Sequence, residues 1–314
     1  MKSGLLTIGL TTLDVVARPI DGLPSGEGTT LIEGIACAPA GTAAGAAMVA
    51  ATLGVPVKLA SAVGGDLIGR FVRMALDEAG VDTSLLATMD GAPTSTTVLA
   101  VDSQGRRPNF HALGAGMFAT VTDNVLAAAR ETRFLHYAGV GGPKLDRGPG
   151  AELLRAAHEA GAIITCDLIS PQPSALQELE RLLPYVDYFM PSAAEALALT
   201  GTEDLDAAAD AFLALGAKAC IIKNGGQGSY IVLPSGRFTL PAHRITPVDT
   251  TSCGDSYCAG FIAALNRGWE PLEACRFATA TAAQVAQALA TLGKLESFEA
   301  TEAAMTAART AESA

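Results

Sequence analysis

The chain has 314 residues, 49% hydrophobic and 17% charged, which is enough to bury a full core and too apolar for intrinsic disorder. Its formal net charge of −11 disfavours a nucleic-acid partner, because duplexes are bound through Lys and Arg contacts to phosphate. No segment has the roughly 20 successive apolar residues of a membrane span, so the sequence also predicts no membrane partner.

Along the chain, short apolar runs alternate with alanine-rich or amphipathic runs. The runs predicted as strands cover residues 5–10, 57–63, 134–137, 163–166, 185–190 and 219–223. The runs predicted as helices cover residues 43–53, 66–78, 150–160, 192–199, 205–215, 253–267 and 271–292. Strands without polar alternation are buried on both faces, which is typical of a parallel sheet covered by helices. The sequence therefore predicts an α/β fold.

Two stretches interrupt this alternation. Residues 14–37 are rich in Gly, Pro and β-forming residues and show no helical period. The second stretch, residues 95–110, predicts two strands, 96–101 and 107–111, joined by the turn sequence D-S-Q-G. Either the two stretches pair into a small sheet beside the main one, or each forms a surface hairpin. The pattern alone favours neither.

The six cysteines are scattered and form no C-x-x-C pair, and the four histidines show no metal-ligand spacing. A chain of this size folds without disulfides, so we expect reduced thiols and a cytoplasmic protein.

The most informative segment, residues 248–261, has the sequence V-D-T-T-S-C-G-D-S-Y-C-A-G-F. It leads from an extended run through small residues into a helix, with Asp255 in the first helical turn. The free N–H groups of such a turn and the helix dipole form an anion site. A carboxylate beside that site takes the proton of an attacking hydroxyl in phosphoryl transfer, although Asp255 also suits a helix cap.

This segment resembles the D-T-x-G-A-G-D signature of the ribokinase-like (phosphofructokinase-B) carbohydrate kinases. Five other segments are similar to motifs of that family and follow its order. They are the opening strand at 6–14, A-G-T-A-A-G-A-A at 40–47, V-G-G-D-x-x-G at 63–69, A-G-V-D-T at 79–83 and I-K-N-G-G-Q-G at 222–228.

The resemblance implies a single ribokinase-like α/β domain over residues 1–314, with a small β-sheet lid formed by residues 12–37 and 94–112. It also implies ATP as the phosphoryl donor, Mg²⁺ as the phosphate counterion and a sugar or sugar-like alcohol as the acceptor. By position, Asp255 is the catalytic base, and Ser252, Cys253 and Gly254 supply the N–H groups of the anion hole.

The same resemblance assigns four residues to the acceptor: Asp14, Gly41, Gly45 and Arg107. Asp14 alternatively caps a strand, and an arginine beside a turn, such as Arg107, is often only solvated.

The resemblance places Lys223, Gly225 and Gly228 along the nucleotide. Glu195 matches the acid of the family's N-x-x-E motif, which acts on Mg²⁺ through water. An acid there also suits the start of an ordinary helix. Asp249 matches a position that helps to bind a monovalent cation in K⁺-activated members.

Four residues depart from the family pattern. Gly45 stands where sugar kinases of this group often carry Asn, which removes a polar contact and opens space; together with the lid arginines, this favours a larger or anionic sugar. Ser252 and Cys253 replace Gly and Ala, and a Cβ restricts the loop dihedrals. Cys253 lies near a helix N-terminus, so we expect a lowered thiol pKa. Ser192 replaces the Asn of N-x-x-E.

Two other functions remain open: a nucleoside kinase of the same fold, and a sugar- or nucleotide-binding protein without turnover. A Rossmann dehydrogenase is excluded because no G-x-G-x-x-G leads from a strand into a helix. An edge strand of the lid offers a pairing surface, from which we expect a homodimer.

Overall fold

The computed structural model describes residues 2–169 and 174–313. Its strands in chain order are β1 (Leu5–Gly9), β2 (Thr12–Arg18), β3 (Gly34–Ala40), β4 (Val57–Gly64), β5 (Val81–Asp82), β6 (Leu86–Met89), β7 (Thr96–Ala100), β8 (Asn109–Ala112), β9 (Phe134–Val140), β10 (Ile163–Leu168), β11 (Tyr188–Phe189), β12 (Cys220–Lys223), β13 (Ser229–Leu233) and β14 (Gly236–Leu240).

The helices are α1 (Thr42–Thr52), α2 (Leu67–Glu78), α3 (Asp123–Glu131), α4 (Pro149–Glu159), α5 (Ala175–Leu182), α6 (Ala193–Thr200), α7 (Leu205–Ala214), α8 (Cys253–Asn266), α9 (Pro271–Val285) and α10 (Phe298–Ser313). Within the described residues, no helix is both long and apolar enough to cross a membrane.

A central sheet runs in the order β14-β13-β12-β11-β10-β9-β1-β4-β5, and β6 also pairs with β4. Its strands are parallel from β12 to β5, and the hairpin β13–β14 adds two antiparallel strands at one edge. Strands β1 and β9 are buried along their whole length, because helices cover both faces. The predicted α/β fold is confirmed.

The helices divide between the two faces of this sheet. Side chains of α1, α2, α8, α9 and α10 form the core on one face, and those of α3 to α7 form the core on the other. Helices α1 and α8 are rich in small residues and almost wholly buried, so they approach the sheet and each other closely.

The two interrupting stretches pair into one second sheet, in the order β3-β2-β7-β8. The pairs β2–β3 and β7–β8 are antiparallel, whereas β2–β7 is parallel. The small sheet is therefore confirmed, and separate surface hairpins are excluded. Val16 and Leu99 on its inner face pack against Ala290, which lies after α9.

Two predicted elements end elsewhere. The helix predicted to reach residue 292 ends at Val285, because the following chain folds back: a Cβ on Gly293 would lie 1.9 Å from the Val285 carbonyl oxygen. The strand predicted over 185–190 is reduced to Tyr188–Phe189, preceded by a 3-10 turn at Leu183–Tyr185. The hairpin β13–β14 and helices α3 and α5 were not predicted.

Candidate active site

The site lies around the first turn of α8, beside the carboxyl ends of the central parallel strands, where α/β sheets bind their ligands. The turn begins at Ser252, whose φ of 57° places it in the left-handed region. The Cys253 N–H donates to the Thr250 carbonyl at 3.4 Å, whereas the N–H groups of Gly254 and Asp255 lie too early in the helix for an intrahelical acceptor. Within residues 2–169 and 174–313, the helix start therefore presents free donors, as an anion site requires.

The Asp255 carboxylate lies among charges contributed by four other elements. Its pKa is raised to about 7, mainly by burial and also by the charges of Asp167, Asp14 and Glu195, while the charge of Lys223 acts in the opposite direction. Among the described residues, the carboxylate has no hydrogen-bond partner. Its environment is that of a base whose pKa lies near neutral pH.

Lys223, at the end of β12, pairs with the carboxylate of Asp167, at the end of β10. Both side chains are nearly buried, and the Sγ of Cys258 lies 3.5 Å from Asp167 Oδ2 and 3.6 Å from Lys223 Nζ. Burial alone lowers the pKa of Lys223, but the Asp167 charge outweighs this, so the pKa is raised and the ammonium is retained.

The Lys223 ammonium lies directly beneath the first turn of α8. Its Nζ is 3.5 Å from the point where a Cβ on Gly254 would stand. The absence of a side chain at Gly254 thus leaves the positive charge close to the predicted anion hole. Asp167 was missed by the sequence reasoning, although an acid at the carboxyl end of a buried parallel strand was a usable signal.

Asp14 lies in β2 and is buried, with its Oδ1 accepting the Thr12 hydroxyl at 2.5 Å. The register of the small sheet places Thr97 beside Asp14 and His111 beside Thr97. The Thr97 hydroxyl and the Nδ1 of His111 are 3.0 Å apart. Burial raises the pKa of Asp14, and hydrogen bonds from Thr12 and Thr97 and the nearby His111 partly counter this. His111, which was not predicted as a site residue, joins this line of side chains.

Gly41 precedes α1 with a φ of 91°, and a Cβ there would lie 2.7 Å from the Leu10 carbonyl oxygen. Glycine is therefore required by the close approach of α1 to the end of β1. Gly45, one turn later, is buried, and a Cβ there would lie 3.3 Å from Asp255 Oδ2 and 3.5 Å from Ser252 Oγ. The open space that the sequence predicts beside Gly45 is therefore bordered by Asp255 Oδ2 and Ser252 Oγ.

Arg107 is exposed in the loop between β7 and β8. Its charge lowers the pKa of Cys253, so the arginine lies near the start of α8. The pKa of Cys253 is nevertheless raised to about 12, mainly by burial and also by the Asp249 and Asp255 carboxylates. The expected lowered thiol pKa is wrong, because desolvation and two neighbouring acids outweigh the helix dipole.

Glu195 lies in the first turn of α6 and forms a capping box with Ser192. Its Oε2 accepts the Ser192 N–H at 2.8 Å and the Ser192 hydroxyl at 2.7 Å, so serine retains the capping role at this position. Burial and the Asp167 charge raise the pKa of Glu195. No cluster of three or more His, Cys, Asp or Glu able to hold a metal occurs in the described part of the chain. One carboxylate still fits Mg²⁺, which is usually held by one or two carboxylates together with water and substrate phosphates.

Asp249 is buried, and each of its carboxylate oxygens accepts a backbone N–H. The donors are Thr251 at 2.8 Å and Ala290 at 2.9 Å. The side chain therefore joins the loop before α8 to the segment after α9. The buried Thr251 hydroxyl has no partner among the described residues.

The predicted nucleotide turn directly follows Lys223. Residues Gly225–Gln227 form a short, exposed 3-10 turn, with open space around Gly225. Gly228 has a φ of 94°, and a Cβ there would lie 1.9 Å from the Leu240 carbonyl oxygen. Close packing against β14 thus requires glycine at 228 whether or not a nucleotide binds.

Comparison with known proteins agrees with this geometry. The sequence pattern of the "pfkB family carbohydrate kinase" matches residues 2–297. The chain belongs to the pfkB family of carbohydrate kinases. This member is 26% identical to the nucleoside kinase of Methanothermobacter thermautotrophicus, with 90% of this chain and 89% of that protein aligned. It is also 26% identical to a fructokinase of Vibrio alginolyticus, with 79% and 81% aligned.

The fold of this pfkB kinase is similar to that of a putative ribokinase II from E. coli, solved in complex with ATP and Mg²⁺. The TM-score is 0.82 at 23% identity, covering 97% of this chain and 99% of the other. The predicted family and fold class are confirmed. The protein is an ATP-dependent carbohydrate kinase.

We expect the buried ion pair to be costly to break from one side. Replacing Lys223 by Met leaves the buried Asp167 charge without its counter-charge, which should lower the free energy of unfolding by about 3–5 kcal/mol. The double variant Lys223→Met/Asp167→Leu should recover most of that loss. Urea denaturation followed by circular dichroism measures both.

The matched control is Lys218→Met, which breaks the more exposed pair between Lys218 and Asp187. We expect this change to cost only about 0–1 kcal/mol. Equal losses of unfolding free energy in the Lys218 and Lys223 variants would contradict the expected cost of leaving the buried Asp167 charge unpaired.

Proposed function

We propose that this carbohydrate kinase transfers the γ-phosphate of ATP to a hydroxyl of a sugar-type acceptor, with Asp255 as the base. The supporting observation is the position of Asp255: a carboxylate with a pKa of about 7, beside the free N–H groups of the first turn of α8. The ionised carboxylate accepts the proton of the attacking hydroxyl. The N–H groups of the turn hold the phosphoryl oxygens as charge develops on them.

The remaining nucleotide contacts come from residues at the carboxyl ends of the central strands, beside the first turn of α8. Lys223 supplies positive charge beneath Gly254, and the turn at Gly225 and Gly228 borders the nucleotide. Glu195 would hold Mg²⁺ through water, and the bound ion supplies charge neutralisation on the phosphates. Asp249, beside the Thr251 hydroxyl, which has no partner in the described part of the chain, would help to bind K⁺ or a similar cation.

The acceptor side is formed by the small sheet, which we propose acts as a lid. Asp14 and the N-terminus of α1 at Gly41 contact the acceptor, and Arg107 brings a positive charge to the same cleft. Closure of the sheet over the acceptor excludes water that would otherwise hydrolyse ATP. The arginine favours an anionic or larger sugar. A cytoplasmic location, where ATP is available, goes with this proposal.

The test of the function is ADP release measured over a panel of hexoses, pentoses, sugar acids and nucleosides. Acceptor-dependent ADP release with one of them supports the proposed kinase and names its acceptor class, with nucleosides marking the nucleoside-kinase alternative. Tight sugar binding without turnover on any acceptor would contradict the proposed transfer to a hydroxyl of the bound sugar.

Replacing Asp255 by Asn removes the base and keeps the shape of the side chain. Phosphoryl transfer should fall by about 10²–10⁴-fold while ATP affinity, measured by calorimetry, stays near that of the wild type. The control is Asp123→Asn, which changes another acid in the first turn of a helix, α3, on the opposite face of the sheet from α8. Near-normal turnover in the Asp255 variant would show that Asp255 is not the base and only caps the helix.

The raised pKa of Asp255 also predicts the pH dependence. Only the ionised carboxylate accepts a proton, so kcat/KM for the acceptor should rise with pH and reach half its maximum near the pKa of about 7. The groups around Asp255 are Asp167 on β10, Lys223 on β12, Asp14 on β2 and Glu195 on α6. Asp167→Asn removes a negative charge and should move the midpoint to lower pH. An unchanged midpoint in that variant would contradict the electrostatic account.

We also propose that the kinase forms a homodimer through the outer face of the small sheet. Ile35, Val98 and Phe110 lie on the face opposite Asp14 and are 64%, 43% and 68% exposed. A contiguous apolar sheet face of this kind marks an interface, and β3 and β8 are its edge strands within the described residues. A second copy supplies the same face, as two-fold symmetry requires.

Phe110→Asp should convert the dimer to a monomer, because a charge would be buried in the interface. Light scattering after size-exclusion chromatography measures the mass. Met74→Asp changes an apolar residue of α2 that is 51% exposed, and should leave the dimer intact. A monomeric wild-type protein would refute this assembly.

A further inference from the structure

Ser252 has an unusual combination of conformation and contacts. It is the N-cap residue of α8, yet its φ of 57° and ψ of 6° are left-handed and its side chain makes no cap hydrogen bond. A capping serine normally has an extended conformation and accepts an N–H of the first turn. Glycine occupies the left-handed region at lower cost. Helix capping therefore gives no reason for a serine at this position.

The hydroxyl of Ser252 lies instead toward Gly45 and Asp255. Its Oγ is 3.5 Å from the point where a Cβ on Gly45 would stand, and Asp255 Oδ2 is 3.3 Å from the same point. The serine hydroxyl and the proposed base thus border one small space at the start of α1. This space exists because position 45 has no side chain.

Gly45 and Ser252 are complementary. A Cβ at 45 would be tight against Asp255 Oδ2 and already in van der Waals contact with Ser252 Oγ, so a longer side chain would fill the space between them, whereas glycine leaves this space to the serine. Position 45 lies on α1 and position 252 before α8, so the complementarity is visible only in the folded chain. The polar group that α1 lacks at this place is supplied by the loop before α8.

We propose that Ser252 is an acceptor-binding residue, whose hydroxyl binds the acceptor hydroxyl next to the one that Asp255 deprotonates. The proposal rests on the proposed kinase function and deepens it. A serine hydroxyl both donates and accepts, whereas ionised Asp255 only accepts, so the two groups together suit a pair of neighbouring hydroxyls. The acceptor class is therefore a vicinal diol.

The first test compares Ser252→Ala with Ser252→Gly. Both variants lose the hydroxyl, so kcat/KM for the acceptor should fall by about 3- to 10-fold in each, the effect of one hydrogen bond. Only Ser252→Gly also relieves the left-handed strain, so its melting temperature should equal or exceed that of the wild type. Wild-type kcat/KM in either variant would overturn the proposal.

The second test changes the acceptor. The wild-type enzyme should lose kcat/KM on a deoxy analogue that lacks the neighbouring hydroxyl, and Ser252→Ala should show little further loss on that analogue. Equal losses from Ser252→Ala on the full acceptor and on the analogue would overturn the proposal, because they would assign the serine to the phosphoryl group.

The third test uses the complementarity. Gly45→Asn alone should abolish turnover, because its side chain competes with Ser252 Oγ for the space beside Asp255, and adding Ser252→Gly should vacate that space and restore turnover by at least about 10-fold, the coupling expected of residues in contact. Strictly additive losses in the double variant would contradict the pairing of the two positions.

The outcomes separate this proposal from the function on which it rests. An active wild-type enzyme with unaffected Ser252 variants leaves the kinase function standing and removes the role of Ser252. If the wild type binds a sugar without turnover, the kinase function fails, and calorimetry then decides: weaker sugar binding by Ser252→Ala supports the role of Ser252, and equal binding overturns it. If the wild type shows no binding and no turnover with any acceptor, both the proposed function and the role of Ser252 are overturned.

Discussion

The ion pair between Lys223 and Asp167 sets the charges on which the rest of the site depends. An ammonium buried near a helix N-terminus is disfavoured both by the loss of water and by the positive end of the helix dipole. Asp167 offsets both effects and keeps the charge of Lys223 beneath Gly254. The same carboxylate raises the pKa of Asp255, while Lys223 limits that rise. One ion pair therefore serves the proposed anion hole and the proposed base together.

Small residues decide how closely the elements around this ion pair approach one another. Gly45 brings α1 to within van der Waals distance of Asp255, and a Cβ on Gly260 would lie 2.5 Å from Thr281 Oγ1, where α8 meets α9. Side chains at these positions would push α8 away from its neighbours. The glycines of this chain thus hold the first turn of α8 in one position relative to α1 and the sheet, as a preorganised site requires.

Asp249 connects this turn to the small sheet. One of its carboxylate oxygens holds the Thr251 N–H before α8, and the other holds the Ala290 N–H after α9. Ala290 in turn packs against Val16 and Leu99 on the inner face of the small sheet. The buried carboxylate of Asp249 therefore links the inner face of the proposed lid to the proposed anion hole.

By itself, the sequence determined the α/β order of elements and the place of Asp255 at a helix start, because run length, alternation and small-residue motifs are local properties of the chain. The end of α9 was misplaced because a distant carboxylate, Asp249, holds the turn that follows. The raised pKa of Cys253 likewise depends on burial and on neighbouring acids, which no local motif shows. The pairing of Lys223 with Asp167, and of Ser252 with Gly45, joins residues far apart in sequence. Only the tertiary structure decided these contacts, since they depend on how closely α1 and α8 pack against each other and the sheet.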